Sequence, residues 1–352
     1  MKKIKINFPF KIYYFLYKLV ISMAFIILLL INSCSKESHP VESFQDTAHT
    51  NLHDNFAIYF LKDTTIKIFQ IINKNINDLE IDTIAWLTND DMECFDYSSH
   101  CIYLKKNNSY FFPDYKLFYQ FPKSWIDRPF VVVANMKKCY IGYMGSIFSS
   151  YNYPAPFIQD FDVYFYPTDI IHIDWIYSFG HDNRYNDDVR IGLIKTNLLH
   201  EGISITIDSL WINNSSDTST VGFIISIANN DTDNLYVLDP DKTGVALLNY
   251  YTQGPVLYDY NNQIYYDPIY REIKKPEPYN SFNKNWFTKI EHGKTINREI
   301  IIKGYVFIPK GNYLVSYLYN NPVQIDKSSR QLSDGRYWIG PTSSKLIEIS
   351  GK

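Results

Sequence analysis

The alternation of apolar and polar residues predicts a change of architecture near residue 200. Before that point, runs with strand and helix character follow one another. Residues 129–134 form a continuous apolar run that predicts a buried strand, joined by a turn to a second strand at 139–143. Apolar residues at near-helical spacing in 187–199 predict an amphipathic helix. The sequence therefore predicts an α+β domain over residues 54–200.

After residue 200 almost every apolar run has the length and period of a strand. Residues 203–208 alternate strictly, and the strand-like runs 221–228 and 235–238 follow, separated by a polar turn. Many short strands with turn residues between them are typical of a β-sandwich. We therefore expect residues 201–352 to form an all-β, immunoglobulin-like sandwich.

The N-terminal segment has the pattern of an export signal. Residues 19–31 form an apolar run of 13 residues interrupted only by Ser22. This run is shorter than the roughly 20 residues that span a bilayer, and it follows a basic segment, as in a secretory signal. The next residues, Ile31-Asn32-Ser33-Cys34, resemble the lipobox of bacterial lipoproteins. In that family the cysteine thiol is lipidated and becomes the first residue of the mature chain.

The lipobox resemblance implies a signal peptide at 1–33, followed by a lipidated Cys34 and a flexible tether at 34–53. Ser35 at the next position implies sorting to the outer membrane, with the periplasmic or surface face left open. Two alternatives stay open: an ordinary signal peptide followed by an unrelated cysteine, and a retained N-terminal anchor helix.

Three further resemblances concern the body of the chain. The LYVLDPD segment at 235–241, with the later HGK and IPKGNY segments, resembles the immunoglobulin-like sandwiches of secreted bacterial proteins, the intracellular proteinase inhibitor family among them. The LTNDD segment at 87–91, the hairpin at 130–143 and the PAPFI segment at 154–158 resemble the periplasmic head of the export protein SecD. This second resemblance implies a small α+β domain without export activity. The whole chain resembles uncharacterised bacterial envelope lipoproteins, which implies no activity.

The net charge of the chain excludes one class of binding partner. The whole chain carries −3, but its first 33 residues hold five lysines and no acid, which leaves 29 basic and 37 acidic residues and a charge of −8. This balance argues against a nucleic-acid partner, which requires a basic surface.

Beyond Cys34, a disulfide between Cys101 and Cys139 is a candidate, with Cys94 left free. The alternative is that all three are reduced and buried.

A region rich in histidine and aspartate is the main candidate for metal chemistry. His172 and Asp174 are two residues apart on a predicted strand and share a face, and His181 follows in a polar loop. Residues 172–188 have no recognised metal-ligand spacing, so no metal site is predicted from a motif. The alternative is a solvated loop followed by a helix N-terminus.

The sequence contains no nucleophile elbow, P-loop or dinucleotide fingerprint, and we predict no catalytic residue and no cofactor.

Tyrosines beside polar residues are the candidate for ligand binding. Tyr258, Tyr260 and Tyr265 lie close together in the sequence, with Asn261 and Asn262 between them. Aromatic faces next to amide and carboxylate groups suit the stacking and hydrogen bonding by which proteins bind sugars. The alternative is packing within a sheet by residues of high β-propensity.

These features together predict a membrane-anchored envelope lipoprotein that acts as a non-enzymatic binding or interaction module. Its expected partners are the lipid bilayer, through acylated Cys34, and a protein or glycan ligand. Two alternatives follow from the candidate residues. One is a glycan-binding accessory lipoprotein, and the other is a hydrolase or metal-dependent enzyme that uses residues 172–188.

Overall fold

A computed structural model describes residues 55–112, 123–149, 152–175, 182–278 and 281–350. Within these ranges the fold is mostly β, with 22 strands in six sheets and five α-helices of nine residues or fewer. None of the helices in these ranges has the length and apolar character needed to cross a membrane.

The first half of the chain contributes nine strands to two sheets. They are β1 (Ala57–Phe60), β2 (Leu87–Thr88), β3 (Met92–Asp96), β4 (Cys101–Leu104), β5 (Pro129–Ala134), β6 (Lys137–Gly145), β7 (Phe157–Gln159), β8 (Ile170–His172) and β9 (Leu199–His200). One sheet has the order β2-β1-β5-β6-β7 and the other β8-β4-β3-β9. The pairs β6–β7 and β3–β9 are parallel. The predicted hairpin is confirmed, because Val131 pairs with Ile141 in antiparallel register.

The second half contributes thirteen strands to four sheets. They are β10 (Ile203–Asn214), β11 (Thr218–Asn229), β12 (Leu235–Leu238), β13 (Val256–Asp259), β14 (Ile264–Tyr266), β15 (Phe287–Ile290), β16 (Thr295–Val306), β17 (Asn312–Ser316), β18 (Leu318–Asn321), β19 (Gln331–Leu332), β20 (Gly335–Tyr337), β21 (Gly340–Ser343) and β22 (Ile347–Ser350). The sheet orders are β10-β11-β16, β15-β12-β20-β19, β14-β13-β17-β22 and β18-β21.

The helices are short and pack against individual strands. They are α1 (Asp160–Phe165), α2 (Asp187–Lys195), α3 (Pro240–Thr243), α4 (Val245–Tyr251) and α5 (Lys327–Arg330). The helix expected over 187–199 is confirmed for Asp187–Lys195, which form α2, whereas Leu199 belongs to β9. The side chain of Asn186 caps α2 by accepting hydrogen bonds from the backbone N–H groups of Asp188 and Val189.

The prediction of an α+β domain followed by an immunoglobulin-like sandwich is wrong, because the described chain is mostly β throughout. Among the described residues before position 200, only α1 and α2 are α-helical, against nine strands. After residue 200 the strands divide among four sheets instead of the two facing sheets of a sandwich. The alternation of apolar and polar residues identified individual strands and the local β5–β6 hairpin, but not the pairing of strands that are far apart in the sequence.

The largest hydrophobic core contains residues from both halves. Tyr103 and Ile170 of the first half pack in one cluster with Phe223, Tyr317 and Trp338 of the second. The Tyr103 hydroxyl also donates a hydrogen bond to the backbone carbonyl of Ile339, at 3.3 Å. The boundary at residue 200 is therefore crossed by continuous packing.

Candidate functional site

The three candidate tyrosines form one cluster on the hairpin of β13 and β14. Tyr258 lies directly opposite Tyr265, and their ring centroids are 4.5 Å apart with the ring planes tilted by 31°. Tyr260, in the following turn, packs edge-on against Tyr258 at 5.1 Å. Tyr260 is 59% exposed and Tyr265 46%. The aromatic surface is therefore presented to solvent.

The sheet that carries this cluster has one buried and one outer face. On the buried face, Leu257 pairs with Tyr266 and Val315, and all three belong to the main core. Because side chains alternate along a strand, the neighbouring row faces outward. That row runs across four strands and consists of Tyr265, Tyr258, Leu314 and Glu348. We call this row, together with Tyr260, the tyrosine face.

The turn beside the tyrosine face is held by Asp259. Its carboxylate accepts hydrogen bonds from the backbone N–H groups of Asn261 and Asn262 and from the Asn262 side chain, at 2.9, 3.2 and 2.8 Å. These hydrogen bonds keep the pKa of Asp259 below its usual value, and the bond from the Asn262 side chain contributes most. The turn thereby fixes Tyr260 next to Tyr258.

A second cluster joins α1 to the end of β8. His172 ends β8, Asp174 follows two residues later, and Asp162 reaches them from α1. One ligand atom from each residue lies within 4.8 Å of the others, and Nδ1 of His172 is 3.3 Å from Oδ2 of Asp162. The structure thus brings together the predicted pair His172 and Asp174. His181 lies outside the described residues.

Burial controls the charge of this cluster. It raises the pKa of Asp162 to about 7, and it also raises the pKa of Asp174. The same desolvation lowers the pKa of His172 to about 4, so the imidazole is neutral at pH 7. A neutral imidazole beside two carboxyl groups is a set of donors suited to a divalent metal.

Sequence reasoning missed Asp162, which lies ten residues before His172 and belongs to a different element. Asp187 and Asp188, by contrast, begin α2 and take no part in the cluster. The Asp188 carboxylate accepts hydrogen bonds from Asn135 and from Lys137, at 2.9 and 3.0 Å. Both aspartates therefore lie at the helix N-terminus that the sequence offers as the alternative for this region.

Another histidine–aspartate group, His200 with Asp231 and Asp233, belongs to a buried ion network. Arg336 donates from one nitrogen to both Asp231 and Asp96, at 2.7 and 2.8 Å. Although burial raises the pKa of Asp231, the hydrogen bond from His200 and the charge of Arg336 hold it well below the usual range. An arginine already neutralises these carboxylates, so the network holds the two halves together.

The candidate disulfide between Cys101 and Cys139 is not formed. Cys94, Cys101 and Cys139 are free thiols. Cys101 begins β4 and Cys139 lies in β6, in two different sheets. Burial raises the pKa of Cys139 to about 11 and that of Cys94 to about 12, so both remain protonated at neutral pH.

Comparison with known proteins adds little to this geometry. No protein-family model matches the sequence, and no curated protein matches it. A crystal structure of a selenomethionine-labelled β-glucosidase from Kluyveromyces marxianus aligns with 43% of this chain, at 13% identity and a TM-score of 0.16. The chain spans 15% of the length of that enzyme. A likeness of this extent establishes neither a shared fold nor a shared activity.

Proposed function

We propose that this protein is a lipid-anchored lipoprotein of the cell envelope that binds carbohydrate through its tyrosine face. The observation that carries the proposal is the packed pair of Tyr258 and Tyr265 rings on the outer face of the sheet, with Tyr258 half-buried and Tyr265 exposed. Aromatic rings held in place by a sheet lose little conformational freedom when a ligand covers them.

The remainder of the tyrosine face has the chemistry that a sugar requires. Leu314 extends the apolar surface beyond Tyr258, and the exposed Glu348 follows on the next strand as a hydrogen-bond acceptor. Three inter-strand spacings separate Tyr265 from Glu348, a distance of about 14 Å. This length suits a short oligosaccharide better than a single sugar ring.

Substituting the central ring is expected to abolish most of the binding. In a glycan array, the mature protein should bind oligosaccharides. Tyr258→Ala should lower the affinity for the tightest-binding oligosaccharide at least about tenfold, which corresponds to about 1.4 kcal/mol of binding free energy. Tyr265→Phe, which keeps the ring, should retain most of the affinity. Isothermal titration calorimetry with the array's best oligosaccharide measures both effects.

A matched control uses Tyr110, which is 60% exposed but lies in a 3-10 turn (Asn108–Tyr110) of the first half. Tyr110→Ala should leave affinity unchanged. An array without any bound glycan contradicts the proposal, as does an unchanged ligand profile for the Tyr258→Ala/Tyr260→Ala double variant. Circular dichroism of each variant separates loss of the binding surface from loss of the fold.

The lipid anchor has a separate test. Cys34→Ala is expected to leave the signal segment unprocessed by the lipoprotein pathway and to eliminate incorporation of labelled palmitate. One acyl chain binds a membrane only marginally and several bind firmly, so the processed wild type should sediment with membranes. Membrane fractionation and metabolic labelling measure this outcome. Processing and membrane association that persist unchanged in Cys34→Ala would rule out lipidation.

A further inference from the structure

We propose that Asp162, His172 and Asp174 form a binding site for one divalent transition-metal ion, with Zn²⁺ as the ion that best fits the donors. The proposal goes beyond carbohydrate binding and does not depend on it. It rests on the geometry of the three side chains, the burial of His172 and the balance of charge around them.

The geometry matches the spacing that zinc requires. Zinc binds nitrogen and oxygen ligands at about 2.0–2.2 Å in a tetrahedral arrangement, so neighbouring ligand atoms are about 3.3 Å apart. Nδ1 of His172 is 3.3 Å from Oδ2 of Asp162. Asp174 places its ligand atom within 4.8 Å of both. Small side-chain rotations would bring all three onto one ion, with a fourth position left for water.

His172 is held in a fixed orientation by its burial. The residue is only 3% exposed, and its ring packs against Tyr166 with the ring centroids 5.2 Å apart. Nδ1 faces Asp162, while Nε2, on the other side of the ring, is buried without a hydrogen-bond partner in the described ranges. Nδ1 is therefore the ring nitrogen that a metal ion between His172 and Asp162 would use.

Charge around the cluster also favours a cation. Asp160 is fully buried close to Asp162, which adds a third carboxyl group to the region. Arg184, whose charge acts on His172 and Asp174, forms an ion pair with Asp182 at 2.7 Å and donates to the backbone carbonyl of Ile173. A divalent ion would balance the carboxylates of Asp162 and Asp174. In the His200 group, Arg336 already supplies that positive charge.

The test is a titration of the full-length mature protein after treatment with a chelator. We expect calorimetry with ZnCl₂ to show one ion per chain, and Co²⁺ to give the intense visible absorption of a tetrahedral site. Mg²⁺ and Ca²⁺ should not compete, because both ions prefer six or more oxygen ligands. His172→Gln and Asp174→Asn should each lower zinc affinity about 100-fold or more, since even residues that support a ligand contribute 10–100-fold.

The matched control is His200→Gln, which alters the other histidine–aspartate group and should leave zinc affinity unchanged. The proposal is overturned if the chelated protein binds no zinc, or if zinc affinity is the same in wild type, His172→Gln and Asp174→Asn. It is equally overturned if His200→Gln alone removes the site. Should His172→Gln fail to fold by circular dichroism, the nearly isosteric Asp174→Asn decides the result.

Discussion

Replacing Arg336 with methionine is expected to destabilise the protein by about 3–5 kcal/mol, the usual cost of removing one partner of a buried ion pair. Arg336 is 4% exposed and bridges two aspartates, Asp96 and Asp231, that are themselves fully buried. Without the guanidinium group, two desolvated carboxylates face each other with no cation between them. Equilibrium unfolding in urea measures the loss.

The control for this prediction is an ion pair on the surface. Lys289 lies 2.8 Å from Asp334, but the two side chains remain 32% and 49% exposed. Solvent screens such a pair, and Lys289→Met should therefore cost less than about 1 kcal/mol. Equal losses for Arg336→Met and Lys289→Met would show that the buried network contributes nothing beyond an ordinary surface contact.

The second large effect is expected at Gly304, where alanine should cost about 3 kcal/mol or more. Gly304 has φ +98° and lies at the bulge where β16 shifts register against β11. A Cβ atom there would lie 2.4 Å from the backbone carbonyl carbon of Tyr270, so main chain would have to move. The same approach permits the hydrogen bond from Tyr270 N–H to the Gly304 carbonyl, at 2.9 Å.

Gly293 provides the comparison, because it lies in a turn with positive φ (+68°) but has no atom within 4 Å of an added Cβ. Gly293→Ala carries only the conformational cost of a left-handed residue, about 1 kcal/mol. Thermal and urea unfolding of both variants should separate the two costs. The close approach at Gly304 is refuted as the cause if both variants lose the same stability.

Sequence patterns predicted local features where the signal itself is local. The apolar run of β5 and the turn that connects it to β6 were sufficient to predict a hairpin. The apolar residues that define α2 and the Asn186 side chain that caps it likewise lie within a few residues of one another. His172 and Asp174 were associated for the same reason, since two residues apart on an extended chain share a face.

Features that depend on distant partners were not predictable in this way. Asp96 and Arg336 meet across 240 residues, and no spacing rule connects them. Residues 245–250 form the helix α4, although a short apolar run is as compatible with a strand as with a helix. Two leucines that favour a helix, Leu247 and Leu248, are both buried there. The overall fold class was wrong because pairing, including the parallel pairs β3–β9 and β12–β20, decides architecture.

The core shared across residue 200 has a consequence for the order of assembly during synthesis. Domains usually fold from the N-terminus as the chain emerges. Here Tyr103 packs in a cluster with Trp338, and Asp96 pairs with Arg336, so the first half cannot complete its interior until residues 336–338 have been synthesised. Contacts of such long sequence separation slow folding, because loop-closure entropy is lost before they form. Docking of the segment that carries Arg336 and Trp338 is therefore expected to be a late step of folding.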